Sequence, residues 1–192
     1  MGPLEVRAGS DIVSIRHGLP RTLLIALLLR PGQTVSASFL IDVLWADDLP
    51  RNPANALQIQ VSYLRKKLAG ADPDRSAPLE TRAGGYSLVA EPAAIDMSRF
   101  EAAIRGVPPL DSLRSEAEVR HALDQVDAAL GTWRGQALED VATMDFARGE
   151  ITRLDELRSA ALERRMDLLL LLGCHHDVVS DLSQLVQRMP LR

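Results

Sequence analysis

Leu57, Val61, Leu64 and Leu68 recur at helical spacing in a stretch that also holds Asn55, Gln58, Ile59, Ser62, Tyr63, Arg65 and Lys66. If the leucines and the valine bury as one stripe, the opposite face carries Asn55, Ile59, Ser62 and Lys66, flanked by Gln58, Tyr63 and Arg65. Those types match the edges of DNA bases. An amide can pair bidentately with adenine, and an isoleucine can pack on a thymine methyl. Arg65, Lys66 and Lys67 crowd the C-terminal end, where they would hold phosphates. An amphipathic helix with a merely solvated polar face explains this helix equally well when it is taken alone. A second constellation favours the nucleic-acid reading. Thr81 and Arg82 sit beside Gly84-Gly85, between two alternating runs, Leu79–Arg82 and Tyr86–Val89. An arginine at such a hairpin tip can lie along the minor groove, whose negative potential attracts guanidinium.

Other chemistries lack an anchor. No G-x-x-x-x-G-K-[ST] or G-x-G-x-x-G pattern marks a phosphate-cradling loop, and no G-x-S-x-G elbow supports a Ser/His/Asp triad. Cys174-His175-His176 are adjacent in sequence, converge poorly on one ion and have no second cysteine to join them, so no metal site is expected. The chain is expected to be no enzyme and to need no cofactor. Trp45 and Trp133 read as core, and Asp47-Asp48 as a solvated loop. Glu150, Arg153, Glu156, Arg158 and Glu163 read as an exposed, salt-bridged helix face.

The elements that must position these residues follow from pattern and punctuation. Leu4–Arg7 and Ile12–Ile15 read as a hairpin around Ala8–Asp11. Pro20 opens a helix that runs to Arg30 and ends at Pro31-Gly32. Val35 is a short extended piece, and Ser38–Trp45 a second helix. Asn52 caps a third, Pro53 to about Leu68. A polar loop, Ala71–Ala77, leads into the second hairpin. Past Glu91–Ala94 no convincing strand remains. Helices are predicted over Asp96–Arg105, Ser115–Trp133 (with Ser115 and Glu118 as a capping box), Phe146–Leu172 and Asp177–Met189. Helix pairs joined by short loops are the pattern of an α-solenoid of tetratricopeptide type.

Composition agrees with this mixture. Aromatics make up only 4% of the 192 residues, so the core must come from Leu, Val, Ile and Ala, which favours helices. Charge is uneven: residues 1–95 hold 10 Lys/Arg against 9 Asp/Glu, and residues 96–192 hold 12 against 17. Nonspecific polycation binding to nucleic acid is thereby excluded, and any DNA contact must come from a local patch on the first half. The single cysteine excludes an internal disulfide. The start, Met1–Glu5, has no basic and apolar leader, and no apolar run approaches the roughly 20 residues of a membrane span. A cytoplasmic location and no membrane partner are expected.

Several stretches together resemble a known family: Arg21-Thr22-Leu23-Leu24, Pro31–Ser36, Leu40–Trp45, Asn55–Leu68 and Gly84-Gly85-Tyr86. Residues 1–95 are similar to the OmpR/PhoB-type winged helix of the Streptomyces antibiotic regulatory proteins, the AfsR-like activators. Residues 96–192 resemble the bacterial transcriptional activation domain that follows it. The second resemblance rests on Phe100-Glu101, Leu130–Gly135, Arg153–Arg158 and His176–Val179. The resemblance implies a mainly α fold with small β content, a winged helix-turn-helix followed by an all-α tetratricopeptide-like domain. That domain normally continues past Arg192, so it is expected to be incomplete here. The implied function is a sequence-specific transcription activator in antibiotic biosynthesis. Helix 53–68 would enter the major groove, and hairpin 79–89 would form the wing. The implied partners are double-stranded DNA carrying direct repeats, bound as a dimer, and RNA polymerase holoenzyme. The competing reading is a helical protein-interaction scaffold whose winged helix serves only for docking.

Overall fold

The computed structural model describes residues 1–46, 48–70, 78–176 and Val178. The predicted loop Ala71–Ala77 and, Val178 apart, the predicted helix Asp177–Met189 lie outside the described residues. The chain forms two compact units. The first comprises Met1–Ile95 and Gly135–Thr152, and the second Asp96–Arg134 and the chain from Arg153 onward.

The first unit opens with an antiparallel hairpin of β1 (Val6–Ala8) and β2 (Asp11–Val13), with Ala8 opposite Asp11. Then come α1 (Leu19–Leu28), β3 (Val35–Ser36), α2 (Ala37–Trp45), α3 (Pro53–Leu68), β4 (Leu79–Arg82) and β5 (Gly85–Leu88). Each helix starts where its local chemistry allows. Pro20 lies in the first turn of α1. The Ser36 hydroxyl accepts the Phe39 N–H and caps α2, which starts at Ala37, one residue before the predicted Ser38. β3 joins the hairpin as a third strand, giving the order β3-β5-β4, with Val35 opposite Tyr86 and Ser36 opposite Gly85. The sequence showed Val35 only as an extended piece; its strand partner lies some fifty residues on.

One core fills this unit. Leu23, Leu24 and Leu27 of α1 meet Leu40 and Leu44 of α2, Leu57, Val61 and Leu64 of α3, and Val35, Leu79, Tyr86 and Leu88 of the sheet. Trp45 packs at its margin. The later segment Gly135–Thr152 adds a second patch, in which Val141 and Ala147 pack on Ile25 of α1. Asp140 fastens this segment: its carboxylate accepts the Leu4 N–H and, at 2.7 Å, an N–H of the Arg21 guanidinium.

The second unit holds α4 (Asp96–Gly106), α5 (Glu116–Leu130) and most of α6 (Asp145–Leu171), whose first turns belong to the first unit. Ser115 caps α5 through the Glu118 N–H at 3.3 Å. The Glu118 carboxylate returns to the N–H of Arg114 rather than to that of Ser115, a capping box extended by one residue. Val119, Ala122, Val126 and Leu168 form the core here. On the predicted salt-bridged face of α6, Arg153, Glu156 and Glu163 are exposed, while Arg158 is half-buried. Arg153 pairs with Glu101 of α4, and the Arg158 guanidinium lies 4.5 Å from the Trp133 ring centroid. Trp133 in turn meets the Phe100 ring edge-on at 5.5 Å.

Candidate nucleic-acid interface

The geometry of α3 begins with its cap. Asn52 Oδ1 accepts the Asn55 N–H at 3.0 Å, and Pro53 takes the first helical position, where no donor is needed. Asn52→Ala is therefore expected to cost about 1 kcal/mol, read as a lower midpoint in urea with an unchanged slope. An unaltered midpoint would mean that the cap contributes nothing. Arg65, Lys66 and Lys67 crowd the last turn, complementing the negative end of the helix dipole.

Leu57, Val61 and Leu64 bury against α1 and α2, which turns the opposite face outward. Asn55, Gln58, Ile59, Ser62 and Lys66 are all exposed on it, and Ile59 keeps 55% of its surface open. An isoleucine so exposed on a helix of otherwise sorted polarity leaves an apolar spot in the middle of a polar surface. The chemistry of the face is two amides, a hydroxyl, a branched methyl surface and an ammonium.

Tyr63 and Arg65, the flanking residues, are half-buried and engaged within the protein. The Tyr63 hydroxyl accepts the backbone N–H of Arg16 at 3.0 Å, while the Arg16 guanidinium stands 4.3 Å from the Tyr63 ring centroid. Arg65 donates from Nε to the Leu79 carbonyl at 2.8 Å and from Nη2 to the Thr81 hydroxyl at 2.7 Å. Thr81 and Arg82 are exposed on the hairpin, and Arg82 forms an ion pair with Glu80.

The hairpin turns at Ala83-Gly84, with φ +78° at Gly84, a backbone conformation that suits glycine. Gly85, read from the sequence as part of that turn, is the first residue of β5 and is buried against β3. The tip is tied to the start of α2, where the Ala37 N–H donates to the Gly84 carbonyl at 2.9 Å. Two exposed cations close to α3 in the chain or in space went unmarked in the sequence. Arg51 precedes the α3 cap, and its position alone could have flagged it. Arg16 has no local signal, because only the fold brings it to Tyr63. Among the described residues no group of three or more His, Cys, Asp or Glu could hold a metal ion. No helix among them is long and apolar enough to cross a membrane.

Comparison with known proteins agrees in both halves. Residues 19–88 match the family described as transcriptional regulatory protein, C terminal, and residues 95–192 match the bacterial transcriptional activator domain. Regulatory protein AfsR of Streptomyces coelicolor is 37% identical over 196 residues, which cover all of this chain and 18% of that protein. Transcriptional regulator RedD of the same organism is 34% identical, with 54% of its length covered. Regulatory protein DnrI of Streptomyces peucetius is 32% identical, with 71% covered. The chain thus spans about a fifth of AfsR and most of DnrI. Among solved structures, Mycobacterium tuberculosis EmbR, in complex with a low affinity phosphopeptide, superposes over the whole chain and half of its own with a TM-score of 0.85 at 26% identity. With both domains matched in this order, the chain belongs to the Streptomyces antibiotic regulatory proteins, a family of transcriptional regulators that join an OmpR/PhoB-type winged helix to a tetratricopeptide-like activator domain.

Proposed function

We propose that the chain is a sequence-specific DNA-binding transcription activator, with residues 1–95 as the DNA-binding domain and residues 96–192 as the N-terminal part of the activator domain. In this reading α3 lies in the major groove and hairpin 79–89 follows the adjacent minor groove or backbone. Asn55, Gln58, Ile59 and Ser62 read base edges, Lys66 holds a phosphate, and Thr81 and Arg82 make the wing contacts. Tyr63 and Arg65 line the flank. The observation that carries the reading is the open face of α3, where base-matching side chains stand clear of every core contact. One such module buries only roughly 600–1,000 Å², which favours two copies on direct repeats. The activator domain would then recruit RNA polymerase holoenzyme in the cytoplasm.

Lys66→Ala should weaken binding to all DNA sequences alike and flatten the dependence of log Kd on log salt by about 0.9. Asn55→Ala or Ser62→Ala should instead shift the motif selected from a random DNA pool. An unchanged motif in both would move base readout elsewhere. The decisive experiment is pull-down of genomic fragments by the full chain, followed by sequencing. No enrichment, together with no mobility shift at low salt, would favour the scaffold reading.

A further inference from the structure

Arg65 occupies the end of α3 where cations are expected to meet phosphates, yet its guanidinium is turned to the hairpin. Its two acceptors, the Leu79 carbonyl and the Thr81 hydroxyl, sit two residues apart on β4. The ladder explains why Leu79 offers an oxygen there. The Val89 N–H donates to the Pro78 carbonyl, and antiparallel pairing alternates. The backbone groups of Leu79 and Thr81 therefore point away from β5, along the free edge of the sheet. Arg65 fills that edge position from α3. A guanidinium is a planar fork, so two bonds to one strand fix rotation as well as distance, whereas an ammonium would hold a single point. Both ends are firmly set: Leu64, beside Arg65, is fully buried in the core, and so is Leu79.

We infer that Arg65 is a positioning residue, a strut that fixes the angle between the recognition helix and the wing, and that phosphate neutralisation at this end of α3 falls to Lys66 and Lys67. The effect on affinity rests on the DNA-binding reading; the effect on the hairpin itself does not.

The test uses the full chain with Arg65→Lys, Arg65→Ala and Thr81→Val. Arg65→Lys keeps the charge without the fork, and Thr81→Val keeps the shape without the acceptor. Two properties are read: amide hydrogen exchange at hairpin residues 79–88 in the free protein, and DNA affinity across a range of salt. Arg65→Lys and Thr81→Val should each raise hairpin exchange severalfold, and Arg65→Lys should weaken DNA binding about fivefold with the salt slope unchanged. In hairpin exchange, Arg65→Ala combined with Thr81→Val should be no worse than Arg65→Ala alone, because both remove one shared interaction. If Arg65→Lys binds like wild type while Arg65→Ala flattens the salt slope by about 0.9, Arg65 is a phosphate contact and the strut is overturned. Unchanged hairpin exchange in both Arg65→Lys and Thr81→Val also overturns it. Should the wild-type chain bind no DNA, the proposed function fails, and the exchange result alone decides the strut.

Discussion

Gly85→Ala should cost the first unit about 3 kcal/mol of stability, a large share of the roughly 5–15 kcal/mol by which a folded domain is stable. A Cβ at Gly85 would stand 2.0 Å from the Val35 carbonyl oxygen, 2.8 Å from its carbon and 3.0 Å from the Ser36 Cα. All three are backbone atoms of β3, so no rotamer change relieves the clash. β3 would have to leave β5, opening the pairs Val35–Tyr86 and Ser36–Gly85 and exposing the buried Val35 side chain. Gly84→Ala is the informative control. Gly84 has open space around it but a φ of +78°, so its alanine variant should lose only about 1–2 kcal/mol, by conformational strain. Urea unfolding of the two variants side by side checks the argument. Equal losses would mean that β3 yields easily and that close approach is not what requires glycine at position 85.

Asp140→Ala should be the next most damaging, at about 2 kcal/mol, between the value of an exposed ion pair and that of a fully buried one. The Arg21 and Asp140 side chains are 18% and 12% exposed. Removing the carboxylate strands two donors, the Arg21 guanidinium and the Leu4 N–H, in a half-buried place. Arg21 keeps its 3.2 Å bond to the Ile15 carbonyl, so the loss stays below that of a wholly orphaned charge. Asp140→Asn retains an acceptor and should lose about half as much. Thermal unfolding should place Asp140→Ala about 5 °C below wild type, and added salt should change the gap little because the pair is shielded from solvent. A variant that melts with wild type would show that Asp140 contributes nothing to holding the 135–152 segment.

The parts of the fold that the sequence revealed are those whose causes are local. Asn52-Pro53 announces the start of α3 because a cap and a first turn lie within four residues. The spacing of Leu57, Val61 and Leu64 announces the buried face, and hence the outward set Asn55, Gln58, Ile59, Ser62 and Lys66, because a helix must turn one side away from its core. What stayed hidden has partners far along the chain. Gly85 looks like any turn glycine until β3 is brought against it. Arg65 looks like a phosphate ligand until the free edge of β4 is in place. Asp140, in a mixed stretch with no periodicity, shows nothing of its grip on Arg21 and Leu4. The missing quantity was long-range placement, namely which strand meets Gly85 and which distant groups Arg65 and Asp140 reach, and periodicity does not carry it.

The edge of β4 has a further consequence, one of solubility. An open strand edge is a template on which another chain can add, and copies of a protein crowded together are prone to fuse through such edges. Here the outward Leu79 carbonyl is already taken by Arg65, while Glu80 and Arg82 place a bound pair of opposite charges along the same short strand. A neighbouring chain seeking to zip onto β4 would have to displace a guanidinium and bury charges. The wing can therefore stay exposed without seeding aggregates.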